Sequence, residues 1–216
     1  VTTLAVLQYN GGTTGLPNGA ALSHANITIN ARQIQLWFHA LDKRETRIVG
    51  VLPLFHAFAM TCVMNLSLAF GACMLLEPRF DALKLLRLIA RKHPNAMAGV
   101  PTLYNALLHT PGAEKYDLSS LEFCISGGGP LPLEVAKAFH AKTGAHLLEG
   151  YGLSETSPVA FINPPELGIA PAEARRLKQG RFVLIPASTD THGHGTHTWA
   201  ALWKDELAAL LKRSGD

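Results

Sequence analysis

Residues Leu7 to Ala20 read LQYNGGTTGLPNGA, and the fold and function of the chain turn on how this stretch is read. It follows an apolar run, Leu4-Ala5-Val6-Leu7, that predicts a strand. It precedes Leu22-Ser23-His24-Ala25-Asn26-Ile27, which predicts the opening of a helix. Between them lie four glycines (Gly11, Gly12, Gly15, Gly19) and two threonines (Thr13, Thr14). Glycine lets backbone N–H groups turn toward one point, and threonine hydroxyls add donors, so the stretch has the makings of a phosphate-binding nest. Its spacing is neither the Gly-x-x-x-x-Gly-Lys-Ser/Thr of P-loop ATPases nor the Gly-x-Gly-x-x-Gly of dinucleotide folds. A glycine-rich hairpin loop is the simpler alternative.

Tyr9 to Gly19 resembles the phosphate-binding loop of the adenylate-forming enzymes, the superfamily of acyl-CoA synthetases, luciferases and peptide-synthetase adenylation domains. Gly-Gly-Thr-Thr-Gly followed by Leu22-Ser23-His24-Ala25-Asn26 is most similar to the long-chain fatty-acid CoA ligases. One departure matters: the family usually has lysine where this chain has Asn18, so a positive charge near the phosphates is missing.

A chain of 216 residues is long enough for one large domain or two small ones and for a substantial core. A net charge of +3 without an aromatic-studded basic stripe gives no case for nucleic acid. Cys62, Cys73 and Cys124 stand in apolar settings and form no disulfide framework, which predicts reduced core thiols in a cytoplasmic protein. No signal-peptide pattern opens the chain, and a start at Val1 that enters a strand almost at once reads as a fragment of something longer. Nothing in the sequence indicates an oligomeric state.

Along the chain, a largely buried helix is expected from His24 to about Ala40, carrying Ile27, Ile29, Ile34, Leu36, Trp37 and Phe38. Ile48 to Leu54 predicts a strand, followed by Pro53-Leu54-Phe55-His56-Ala57-Phe58. A lone histidine is most often a capping or packed residue; the resemblance instead implies that His56 and Phe58 stand beside the carboxylate of an acyl substrate. Ala57 to Leu76 has no charge and is about the length of a bilayer span. Thr61, Asn65, Ser67 and Gly71 argue against a span, and a buried helix stopped at Gly71 before a strand, Ala72 to Leu76, accounts for it better. Peripheral membrane contact stays open.

Asp81 is the expected N-cap of a helix to Lys92, with Leu83, Leu86, Ile89 and Ala90 on one face. A strand over Ala96–Val100 leads to a helix begun by Pro101 and carrying Leu103, Leu107 and Leu108. A strand over Glu122–Ile125 follows. Strands alternating with helices predict an α/β fold with a mostly parallel sheet and flanking helices.

That last strand ends in Ser126-Gly127-Gly128-Gly129-Pro130-Leu131. Three glycines let a flat ligand lie against bare backbone, although a tight turn explains them equally well. The resemblance implies that Gly127, Gly128 and Gly129 line an adenine and ribose pocket. After a helix over Leu133–Thr143 capped by Gly144 and a strand over His146–Leu148 comes Glu149-Gly150-Tyr151-Gly152-Leu153-Ser154-Glu155. Tyr151 offers an aromatic face, Ser154 a hydroxyl and Glu155 a hard oxygen ligand. By resemblance Tyr151 and Gly152 border adenine, Ser154 takes the place of the usual Thr on the phosphates, and Glu155 holds Mg2+. A polar loop with a capping serine is the plain alternative.

The resemblance covers residues 1 to 162, a partial AMP-binding core. The Tyr-x-Thr-Gly-Asp motif and the C-terminal catalytic lysine that the family carries further on do not occur here. Residues 163–216 instead read as a helix from Ala172 to Lys178, a strand from Arg181 to Pro186, a His-rich loop from Thr189 to Thr198 and an amphipathic helix from Trp199. This tail resembles the C-terminal end of an α/β-hydrolase of the homoserine-acetyltransferase-like group, which implies a triad histidine at His194. No Gly-x-Ser-x-Gly elbow accompanies it. His192, His194 and His197 near Asp190 also allow weak Zn2+ or Ni2+ binding, against which stands a plain solvated loop.

The resemblance implies an ATP-dependent, AMP-forming ligase that activates a fatty carboxylate as its adenylate and passes it to coenzyme A. Thr13, Thr14 and the N–H groups of Gly11, Gly12 and Gly15 would hold phosphates, with ATP, Mg2+ and coenzyme A as cofactor and co-substrates. His56, Ser154 and Glu155 are the catalytic candidates. A chimeric, non-catalytic remnant is the competing expectation, and a hydrolase or acyltransferase working through His194 a further one.

Overall fold

Short apolar runs separated by capped helices build the fold in the alternating order that the sequence leads one to expect. The structure is a computed structural model that describes residues 3–10, 18–38 and 45–163, all within one compact unit of residues 1–12 and 16–170. The tail elements expected beyond residue 163, His194 among them, lie outside the described residues, as do Gly11 to Pro17.

The opening stretch forms an antiparallel hairpin, β1 (Leu4–Asn10) with β2 (Asn18–Ser23), rather than running from one strand directly into a helix. Helix α1 (His24–Trp37) starts at Ser23, whose hydroxyl accepts from Asn26 N while Asn26 Oδ1 accepts from Ser23 N at 2.9 Å, a closed capping box. It ends at Trp37, earlier than expected, and Phe38 alone of the terminal aromatics is buried. Ile29, Leu36 and Trp37 are exposed, whereas the polar Asn30 and Gln35 are buried. Backbone partners explain this inversion. Asn30 Nδ2 donates to Val159 O at 2.8 Å and Asn30 Oδ1 accepts from Val159 N at 3.1 Å; Gln35 Nε2 donates to Ala69 O at 2.9 Å. Buried amides are retained because each polar atom has a partner.

Strand β3 (Arg47–Gly50) is shorter than the apolar run that predicts it, because the chain turns away at Pro53. The uncharged stretch after it is one helical run, 57–70 (α2), with α geometry at Ala57–Ala59, π geometry at Met60–Asn65 and α geometry again at Leu66–Phe70. Gly71 ends it in the left-handed region, φ 65°. Among the described residues no helix is long and apolar enough to cross a membrane. Then follow β4 (Cys73–Leu76), α3 (Ala82–Lys92), β5 (Ala96–Gly99), α4 (Pro101–His109), β6 (Phe123–Ser126), α5 (Leu133–Thr143), β7 (His146–Gly152) and β8 (Val159–Ile162).

Six of these strands form one sheet in the order β4-β3-β5-β6-β7-β8, parallel except for β8. Helices α3, α4 and α5 cover one face through Leu85, Leu86, Ile89, Leu103, Tyr104, Leu107 and Phe139; α1 and α2 cover the other through Ile34, Phe38, Cys62, Val63 and Leu66. The phase of α3 differs from the expected one: Leu85 is buried and Leu83 exposed. Each fully buried aliphatic side chain contributes about 1.5–3 kcal/mol of transfer free energy. Tyr104, absent from the expected core, is fully buried; its ring lies against Gly99 and its hydroxyl donates to Ile125 O at 2.9 Å. Cys62 and Cys124 are buried, but Cys73 is exposed on the edge strand β4, so only two of the three thiols belong to the core. The strand order reverses between β3 and β5, and in such sheets ligands bind outside the carboxyl ends of the strands at that reversal.

Candidate functional site

The loops that leave the carboxyl ends of β3, β6 and β7 carry the described candidates. After β3, Phe55 and His56 sit at the surface, and His56 caps the helical run: its Nδ1 accepts from Phe58 N at 3.2 Å. The capping reading of His56 is therefore what the local structure shows. With Nδ1 used as an acceptor, Nε2 is the ring nitrogen left to donate to an oxygen ligand. Gln8 of the hairpin donates to Phe55 O at 3.0 Å and so ties β1 to this loop.

After β6, Gly127 N donates to Gly99 O at 3.1 Å and the chain arches through Gly128 (φ 78°) and Gly129 to Leu131, which is buried again in the core. The bare backbone of Gly127 is used: a Cβ there would lie 3.0 Å from Phe58 Cζ. Leu131 N donates to Glu149 Oε1 at 2.9 Å. The sequence reading assigns no role to Glu149, although it stands two residues before Tyr151 in the quoted motif. Partial burial pushes its carboxyl above the usual range, and the Leu131 N–H bond offsets part of that rise.

Strand β7 runs on to Gly152, longer than expected, and so carries Tyr151 into the sheet. Tyr151 pairs in register with Phe161 of β8, and the two exposed rings lie 6.2 Å apart at 36°. Phe161 is a second aromatic that no local motif marks. Burial raises the Tyr151 phenol, which keeps it protonated. Gly152 is obligatory by close approach, because a Cβ would lie 2.0 Å from Pro158 O. Ser154 and Glu155 then stand on a short 3-10 turn, Ser154–Thr156, that packs against both strands of the hairpin. Thr61 of the π segment anchors the same turn by donating to Ser157 O at 2.8 Å.

Strand alternation distributes these groups. Leu147 and Glu149 face the α5 side, as does the arch that ends at Leu131, whereas Phe58 packs with the α1 and α2 core. Groups from the two faces of the sheet thus meet at Gly127. Gly11, Gly12, Thr13, Thr14 and Gly15 lie outside the described residues; the strands β1 and β2 on either side of them contact the Ser154–Thr156 turn.

Mg2+ binding is compatible with this donor set. Among the described residues no cluster of three His, Cys, Asp or Glu side chains could hold a metal alone. Mg2+ commonly uses one or two carboxylates and completes its shell with phosphate oxygens and water, which one Glu155 beside a phosphate loop would satisfy.

The sequence matches the AMP-binding enzyme family over residues 2–185. It is 45% identical over 160 residues to the long-chain-fatty-acid–CoA ligase of Bacillus subtilis, covering 74% of this chain and 29% of that protein. Identity to 4-coumarate–CoA ligase 1 of Arabidopsis thaliana is 39% over 167 residues, again 74% of this chain and 29% of the relative. The fold superposes on ATP-bound MatB from Rhodopseudomonas palustris with a TM-score of 0.66 at 32% identity, over 76% of this chain and 31% of that one. The chain thus spans under a third of the length of the relatives it matches. A match over most of the chain, together with these strand-end loops, means that the chain belongs to the AMP-binding enzyme family.

Proposed function

We propose that this chain provides the nucleotide- and carboxylate-binding core of an AMP-forming acyl-CoA ligase acting on a fatty carboxylate. One observation carries the reading: the hairpin, the His56 loop, the Gly127–Leu131 arch and the Tyr151–Glu155 segment converge at one end of the parallel sheet. The names of the relatives, fatty-acid and coumarate ligases, support the chemistry of carboxylate activation.

In this reading Thr13, Thr14 and the N–H groups of Gly11, Gly12 and Gly15 hold phosphates, and Glu155 with the Ser154 hydroxyl completes the far side. Glu155 would hold Mg2+, which would supply charge neutralisation for the phosphates. Adenine lies between the Gly127–Gly129 backbone and Tyr151 with Gly152. On the opposite face His56 directs its Nε2–H toward the acyl carboxylate and orients it for attack on the α-phosphorus. Catalysis by such a site is positioning plus stabilisation of charge at phosphorus. Coenzyme A is the acceptor that completes the reaction. Free thiols suit a reducing, cytoplasmic setting.

The test is calorimetric titration of the chain with Mg-ATP beside a Thr13→Ala, Thr14→Ala double variant. Saturable binding lost in the variant is expected; a folded chain with no binding, or a variant that binds equally well, overturns the reading.

A further inference from the structure

We propose that Glu149 is a positioning residue that latches the Gly127–Leu131 arch in the shape a nucleotide meets; this rests on the nucleotide reading above. The arch has little of its own to hold it. Gly128 has a positive φ of 78°, Gly129 has no neighbour within 4 Å of a would-be side chain, and Pro130 has no N–H to give. Its geometry is set by its two ends. The first N–H, on Gly127, continues the ladder to Gly99 O at 3.1 Å; the last, on Leu131, donates to Glu149 Oε1 at 2.9 Å. Between these ties the Gly128 and Gly129 N–H groups make no bond among the described residues, which leaves two backbone donors unused.

A second observation falls beside the first. Ser126, the residue just before the arch, pairs in register with Glu149 on the neighbouring strand, and strands in a sheet lie about 5 Å apart. Ser126 is fully buried and its Oγ has no partner. A buried orphan hydroxyl needs an explanation. Strand alternation puts this unpaired hydroxyl on the same face of the sheet as the Glu149 side chain, at the root of the arch. Glu149 therefore stands beside one root of the arch, Ser126, and its carboxylate bonds the other, Leu131. Order imposed before the ligand arrives spares that cost on binding.

The experiment uses the full chain as wild type, Glu149→Ala and Glu149→Gln, with Glu149→Met, close in volume but without an acceptor oxygen, where the alanine variant does not fold. Two quantities are read: hydrogen exchange at the Leu131 amide and the Kd for Mg-ATP. Without an acceptor, Leu131 exchange should accelerate about tenfold and Kd should rise about five- to tenfold. Glutamine keeps an acceptor oxygen and should restore both to within about twofold. Unchanged Leu131 exchange in Glu149→Ala or Glu149→Met, or loosened exchange with unchanged Kd, overturns the latch. Failure of Gln to rescue does so too. Absence of ATP binding by the wild type overturns the nucleotide reading, and the positioning role with it; binding that ignores Glu149 overturns the latch alone.

Discussion

The rim of the Phe58 ring occupies the space in which a side chain on Gly127 would begin, with Cζ 3.0 Å and Cε1 3.2 Å from the position of its Cβ. Phe58 belongs to the α2 side of the sheet and Gly127 opens the arch that folds over the α5 side. The loops proposed to hold the carboxylate and the adenosine therefore share one contact. Gly127→Ala should push the ring aside by a few tenths of an ångström. Because the obstacle is the end of a side chain, the fold should lose only about 1 kcal/mol. The Mg-ATP affinity should fall, and Phe58→Leu in the same chain should recover most of it. Strict additivity of the two substitutions in a double-mutant cycle would refute the coupling.

Asn30 holds both backbone groups of Val159 from 129 residues away and is only 5% exposed. Asn30→Ala should leave a half-buried N–H and C=O of Val159 in β8 unpaired and cost about 2 kcal/mol. Urea denaturation reads this as a lower midpoint with an unchanged slope. A shift worth less than about 0.5 kcal/mol would mean that water takes the place of the amide.

The thiols should separate by environment. Burial pushes Cys62 up to about 12 and raises Cys124 further, while Cys73 is exposed at the sheet edge. Since the thiolate is the nucleophile, the native chain should take up one equivalent of iodoacetamide at neutral pH, at Cys73, and three after denaturation. Native labelling of Cys62 or Cys124, read by peptide mass, would contradict the packing of the core.

Glu149 contributes a pH dependence of definite sign. Its folded carboxyl titrates above the ordinary value of 4.5, chiefly through burial. Between the unfolded and the raised folded value, the folded state holds more protons than the unfolded one. Stability should therefore fall as pH rises through that window and level off above it. Partial solvent exposure keeps the amplitude small. Glu149→Gln should flatten the profile in that window; an identical profile in the variant would place the titration elsewhere.

Element boundaries set by short-range chemistry are legible in the sequence. Asp81 caps α3 by accepting from Lys84 N at 2.9 Å, Pro101 opens α4, and Gly71 and Gly144 end their helices with positive φ. Each of these acts within one turn of chain, so the residue and its neighbours suffice. Strand β2 is not legible in this way: NGAALS has neither alternation nor β-branched residues, and it is a strand because β1 pairs with it. The burial of Asn30 and Gln35 in place of Ile29 and Leu36 is equally invisible, since their partners lie on β8 and α2.

For the site the division follows the same physics. The resemblance of short local motifs to a known family singles out His56, Gly127 to Gly129, Tyr151, Gly152, Ser154 and Glu155 as candidates, because a motif is a property of one segment of sequence. Phe161 beside Tyr151, Glu149 beneath Leu131 and Phe58 over Gly127 are decided only when register and strand order are set. By itself the sequence determined the kinds of groups present, their order, and the alternation of strand and helix. Only the tertiary structure decided which groups meet, because contacts between distant residues depend on pairing and packing energies that no single segment contains.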